Sequence, residues 1–197
     1  FRRVLFRSIK GTPGVEDIAH VPELNRLYTT NWGENKIGVV DLTTLQVIER
    51  IATAEKPDGI AFAPPFGKVY VSNERARVAS VIDVRTNKEV KAISFNSQTG
   101  MPRFDAVAGK VYVNLQQRNT VAVIDARTDA VEGEIAVPGC QANHGMALDA
   151  TNRRAFIACE GNNVLVVLDL DRKTSIAQFP IGRGNDFVEF DAGLNRI

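Results

Sequence analysis

Leu27-Tyr28-Thr29-Thr30-Asn31, Val69-Tyr70-Val71-Ser72-Asn73, Val111-Tyr112-Val113-Asn114 and Ala155-Phe156-Ile157-Ala158-Cys159 are four copies of one short pattern. The aromatic residue recurs at steps of 42, 42 and 44 residues. A second anchor keeps the same steps: Val39-Val40-Asp41, Val81-Ile82-Asp83, Val123-Ile124-Asp125 and Val167-Leu168-Asp169. Two anchors moving together mark an internal repeat, and a repeat of this length decides the architecture.

Within a copy every segment has strand character. In the second, Gly59-Ile60-Ala61-Phe62 is an apolar run suited to an innermost strand packed on both faces. Lys68 to Ser72 alternates around Val69 and Val71, Ala79 to Ile82 is apolar, and Glu89 to Ile93 ends in Ala92-Ile93. Short runs broken by turn signals suit four-stranded antiparallel blades. Asn25, Gly67, Gly109 and Asn195 stand just ahead of second strands, where a hairpin needs a left-handed residue. Asp41, Asp83 and Asp125 open turns in which a carboxylate accepts a backbone N–H two residues on. The third copy reads as shorter ahead of its tyrosine.

The expected fold is all-β, a β-propeller fragment of about four four-stranded antiparallel blades plus the start of a fifth. The blades fall near residues 15–51, 57–93, 102–137 and 143–179, with the partial one at 185–197. Seven blades of this size would take roughly 290 residues, so 9–197 is expected to be a partial propeller domain, an open arc of a seven-bladed ring.

Composition narrows the function classes. With 44% hydrophobic residues the chain can bury a core. Its 24 Lys and Arg balance 23 Asp and Glu, which leaves no broad basic field for nucleic acid. No run of some 18 apolar residues is present, so no transmembrane segment is expected. Residues 1–8, Phe1-Arg2-Arg3-Val4-Leu5-Phe6-Arg7-Ser8, have positive charge but neither an apolar h-region nor a cleavage site. They read as a non-native, adapter-derived segment, the alternative being a strand of a preceding blade.

The Tyr-Val-(Ser or Thr)-Asn copies, each followed by an aliphatic-Asp turn, resemble YVTN-family (YncE-like) β-propeller repeats over Gly14 to Ile197. The resemblance implies seven blades, a periplasmic or extracellular location and a binding role instead of a defined reaction. Phe156 and Cys159 depart from the motif.

In a propeller the first strand of each blade lines the central channel. Aligning the copies puts Glu16, Asp58, His144 and Asp186 in one slot at the channel mouth, and Arg103 joins them if Pro102 is matched with Pro57. One polar residue per blade pointing into a funnel suits ligand binding. His20 shares the slot of Phe62, Leu148 and Phe190, so it is expected to be a packed strand residue. His144 is the better candidate for acid–base work, yet no His/Cys spacing motif accompanies it, so neither a metal nor a cofactor is expected. Glu160 and Glu74 occupy matching loops on the same face, and Trp32 either stacks on a ligand there or covers the blade edge. Cys140 and Cys159 flank the fourth blade's first two strands at the same end, within reach of a disulfide that would mark an oxidising compartment.

No nucleophile elbow, phosphate loop or dinucleotide fingerprint occurs. The expectation is therefore a non-catalytic extracytoplasmic scaffold, with no catalytic residue assigned, that presents its loops and channel mouth to a protein, an envelope polymer or a small ligand. A propeller lactonase or hydrolase using His144, Asp58 and Glu16 is the alternative. Single-stranded nucleic-acid binding is a second, disfavoured by the charge balance.

Overall fold

The computed structural model describes residues 8–197. The first seven residues of the segment read as adapter-derived lie outside the described residues.

Sixteen strands form four four-stranded antiparallel sheets, each sheet a consecutive stretch of chain. The first blade is β1 (Val15–Val21), β2 (Arg26–Asn31), β3 (Lys36–Asp41) and β4 (Gln46–Ala52). The second is β5 (Pro57–Ala63), β6 (Lys68–Asn73), β7 (Val78–Asp83) and β8 (Lys88–Ser94). The third is β9 (Thr99–Asp105), β10 (Lys110–Leu115), β11 (Thr120–Asp125) and β12 (Ala130–Ala136). The fourth is β13 (Asn143–Asp149), β14 (Arg154–Cys159), β15 (Val164–Asp169) and β16 (Thr174–Pro180). This is a β-propeller arc. Residues 185–197 form no paired strand among the described residues, only a turn closed by the Asp191–Arg196 bridge.

The turns behave as local chemistry dictates. Asn25, Gly67 and Gly109 have φ of 50°, 60° and 66°, and Arg153 fills the same place in the fourth blade at 57°. Asp83 Oδ1 accepts from the Arg85 and Thr86 N–H groups at 2.9 Å, and Asp41, Asp125 and Asp169 repeat the contact. The third copy is not shorter ahead of its tyrosine. Each first hairpin spans the same length, and the two extra residues of the 44-residue step lie in the linker between β12 and β13. The third blade therefore starts at Thr99, three residues before the sequence alignment placed it.

Apolar faces are buried between blades, not within them. One cluster joins Tyr28, Ile37 and Val39 of the first blade to Ile60, Val69 and Ile82 of the second, with Phe62 packed against it. Two further clusters join the second blade to the third and the third to the fourth. His20 departs from expectation and is exposed. Its slot faces the preceding blade in every other copy, and among the described residues nothing packs on that side of β1.

The repeated tyrosine is the clasp between neighbours. The Tyr28 hydroxyl donates to the Val84 carbonyl at 3.0 Å and to the Asn87 side chain, both in the next blade's last hairpin. Tyr70 does the same to the Ala126 carbonyl at 3.2 Å and to the Asp129 carboxylate. Burial, reinforced by Asp129, holds the Tyr70 phenol well above its ordinary pKa, so it stays a donor. The corresponding position for Tyr112 is Lys173, which has no acceptor to offer, and its hydroxyl lies against Arg153 instead. In the fourth blade Phe156 needs no acceptor and stacks on Phe190 at 5.5 Å between ring centres.

Tyr70→Phe is expected to destabilise the fold by about 1–3 kcal/mol, because it removes a buried donor to Asp129. Tyr112→Phe is expected to cost clearly less. Denaturant unfolding of the two variants checks this; equal losses would contradict the clasp.

Candidate active site at the channel mouth

The site is made by an irregularity repeated in every first strand. Val15 pairs with Asn31 and Ile18 with Thr29, so two residues of β1, Glu16 and Asp17, oppose one of β2. The same bulge releases Asp58-Gly59, Gly100-Met101 and His144-Gly145. Bulges re-aim side chains that a regular ladder would hold. In the first two blades the residue opposite the bulge patches it: Thr30 Oγ1 accepts from the Asp17 N–H at 2.8 Å and Ser72 Oγ from the Gly59 N–H at 2.9 Å. Asn114 reaches further, donating to the His144 carbonyl at 2.7 Å and the Gly145 carbonyl at 3.2 Å in the next blade. The Ser or Thr of the repeat motif thus fixes the bulges of the first two blades, and Asn114 fixes the backbone at His144.

Asp58 and His144, 86 residues apart, meet: His144 Nε2 lies 3.0 Å from Asp58 Oδ2, and each residue is only 4% exposed. They meet across the third blade because that blade has Gly100 in the slot. A Cβ at Gly100 would stand 2.7 Å from the His144 carbonyl oxygen. The other ring nitrogen, Nδ1, is 2.9 Å from Asp186 Oδ1 and 3.1 Å from the Asp186 carbonyl oxygen. Burial by itself disfavours the imidazolium. The Asp186 and Asp58 carboxylates override it and raise the His144 pKa far above the usual imidazole range. In return His144 holds Asp186 below the ordinary carboxylate value.

Further acidic groups crowd this centre. Burial, then the charge of Asp58, raises the pKa of Glu16. Glu160 follows β14 and is raised by burial, with His144 opposing and Asp186 assisting. Glu74 occupies the same slot in the second blade and takes Lys56 Nζ as a close partner and Gln116 Nε2 at 3.3 Å. Burial works against the Lys56 ammonium, but Glu74 keeps its pKa raised. His144 Nδ1 and one carboxylate oxygen each of Glu160 and Asp186 lie within 4.8 Å of one another. An open cavity of about 440 Å³, lined by Glu16, Asp17, Met101, Asp186 and Phe187 among others, adjoins them.

Arg103 is not in the mouth ring. It pairs with Tyr112, as Ala61 pairs with Tyr70, which puts it three residues deeper. There its guanidinium lies 3.2 Å from Glu189, 3.7 Å from Asp17 and 5.3 Å from the Phe187 ring centre, at the wall of a cavity of about 280 Å³. Matching Pro102 with Pro57 shifted the third copy, since Pro102 aligns with Ile60. Trp32 is 44% exposed, and its backbone N–H donates to the Gly14 carbonyl at 2.8 Å. Cys140 and Cys159 form a disulfide with Cα atoms 5.3 Å apart, tying the linker ahead of His144 to the strand end ahead of Glu160. Lys56, Gln116 and Asp17 belong to the site as well. Their only sequence signal is adjacency to the slot residues.

These features define a β-propeller whose polar centre is a buried charge cluster at the channel mouth. The chain belongs to the glutamine cyclotransferase family, whose family model matches residues 16–167. A search of curated proteins gave no match. Among solved structures, Kuenenia stuttgartiensis hydrazine synthase is similar at 14% identity and a TM-score of 0.60, over 96% of this chain and 92% of that one. U3-55K is similar at 8% identity and 0.79 over 90% of this chain, and the dihydro-heme d1 dehydrogenase NirN at 17% and 0.68 over 87%. The chain spans 55% of U3-55K and 38% of NirN. At these identities the likeness is one of fold.

The family overturns the expectation of a non-catalytic scaffold, because it is a family of enzymes. The scaffold reading leaned on missing local motifs, and a propeller site has none: its residues come from separate blades. Among the described residues no helix is long and apolar enough to cross a membrane.

The His144 pair sets a pH dependence with a definite sign. Because the folded-state pKa is raised, the stabilisation by Asp58 and Asp186 is fully present below pH about 6.5 and is lost as pH rises through the higher folded value. NMR of the ring nitrogens is expected to show both protonated at pH about 8. Asp58→Asn is expected to lower the midpoint by about 1–3 pH units. An unchanged midpoint would rule out the pairing.

Proposed function

We propose that the channel mouth catalyses cyclisation of a glutaminyl residue at a peptide N-terminus with release of ammonia, the reaction that the family's name describes. The observation that carries the reading is Glu16, a carboxyl of raised pKa on the wall of the open 440 Å³ cavity beside the buried His144 pair. The excess of carboxylates draws in the substrate's α-ammonium, and Glu16 takes a proton from it. The freed amine attacks the side-chain carboxamide carbon, and the new N–C bond closes the ring while the carbonyl oxygen gains the negative charge. As the carbonyl re-forms, the bond to the amide nitrogen breaks; that nitrogen takes the proton on Glu16 and leaves as ammonia, while the attacking nitrogen sheds its extra proton to solvent. A carboxyl whose pKa is raised above its ordinary value suits this shuttle, since it must accept and return one proton. His144 is a positioning residue, its two N–H groups committed to Asp58 and Asp186.

This reading takes 185–197 as the opening of a further blade that contributes Asp186. The tyrosine-bearing copies support blades of the YVTN type. The disulfide supports an oxidising, periplasmic or extracellular compartment. The partner is then a peptide with glutamine at its N-terminus.

Incubation with a glutaminyl dipeptide is expected to release one ammonia per cyclised product. Glu16→Gln is expected to slow turnover on the order of 10²-fold or more while leaving the unfolding midpoint unchanged. Wild-type turnover in that variant would sink the shuttle.

A further inference from the structure

We infer that His144, Glu160 and Asp186 form a binding site for a divalent first-row metal ion, Zn²⁺ foremost, with Asp58 as the partner that orients the histidine. The inference concerns binding alone and stands apart from the cyclotransferase reading.

Three kinds of observation meet here. The donor set is right, since one imidazole nitrogen and two carboxylate oxygens from three separate segments lie within 4.8 Å of one another. Around Zn²⁺, with bonds of about 2.0–2.2 Å, such atoms stand roughly 3.4 Å apart, so closing the site takes about an ångström of movement. The side chain free to supply it is Asp186, which is 60% exposed.

The histidine is also mounted as metal-bound histidines are. Its far nitrogen, Nε2, is held at 3.0 Å by a carboxylate that is itself 95% buried, leaving Nδ1 directed at Asp186. A carboxylate–histidine–metal arrangement of this kind fixes the ring and raises its basicity. Its backbone is pinned too, by the Asn114 amide on the His144 and Gly145 carbonyls, while the Asn143 amide donates to Asn114 Oδ1 at 2.8 Å.

Finally, the centre is over-supplied with negative charge. Asp58 and Asp186 flank the two ring nitrogens of His144 and Glu160 stands beside them, while the nearby Lys56 ammonium is already paired with Glu74. A divalent ion held between Nδ1 and these carboxylates neutralises that excess. Three protein donors leave coordination positions open toward the cavity, as in metal sites that bind a further ligand.

The test is calorimetric titration of the whole chain with ZnCl₂ alone, its disulfide intact and no reductant or chelator present. One ion per chain is expected. Glu160→Gln, which removes a ligand from a half-buried loop position, is expected to abolish saturable binding. Asp58→Asn removes no ligand and is expected to weaken binding by about 10–100-fold. Glu132→Gln, far out on β12, serves as the control and is expected to bind like wild type. Circular dichroism of each variant verifies folding, so His144→Ala is not required. Absence of saturable binding, or unchanged affinity in both Glu160→Gln and Asp58→Asn, overturns the site.

Discussion

The contact that registers the first three blades is the reach of a buried tyrosine hydroxyl from one blade into the last hairpin of the next. A four-stranded blade is too small to hide its own apolar faces, so its strands are stable only when stacked. Area burial favours stacking without choosing an angle or a register. The hydroxyl does choose, because a phenol buried between sheets must find an acceptor, and Val84 and Ala126 offer their carbonyls at one place only. The left-handed Asn87 and Asp129 complete that acceptor pair.

From this registration the channel mouth follows. Correctly stacked blades bring their first strands so close that Gly59, Gly100 and Gly145 have no room for a Cβ against the neighbouring strand. The bulges at Gly59 and Gly145 turn Asp58 and His144 inward, Gly100 leaves the space between them open, and charged groups from the second and fourth blades then share one small volume. The perturbed protonation of His144, Glu16 and Glu160 is a consequence of that crowding. The disulfide adds a covalent tie at the lengthened linker before β13.

How much of this was legible in the sequence varied with the range of the forces involved. Strands, turns and the aspartate-closed hairpins were readable because each rests on residues within a few positions of one another. The mouth slot was readable for Glu16, Asp58, His144 and Asp186 because the repeat carries the alignment. It went astray at Arg103, where the prolines suggested a match that the bulge register denies. His20 went astray for a different reason: its slot is defined by the neighbouring blade, and no local signal reports whether that neighbour is there.

By itself the sequence determined the periodic unit, its four strands, the order of polar and apolar faces and the list of residues that could reach the channel. These are properties of hydrogen-bonding and burial over a few dozen residues, repeated. Only the tertiary structure decided that Asp58 grips His144 across the blade between them, that Glu160 and Asp186 close around the other ring nitrogen, and that Arg103 lies deeper. Those contacts join residues tens of positions apart, and their distances are set by how sheets stack around a common axis. That angle is written nowhere in a single copy of the repeat.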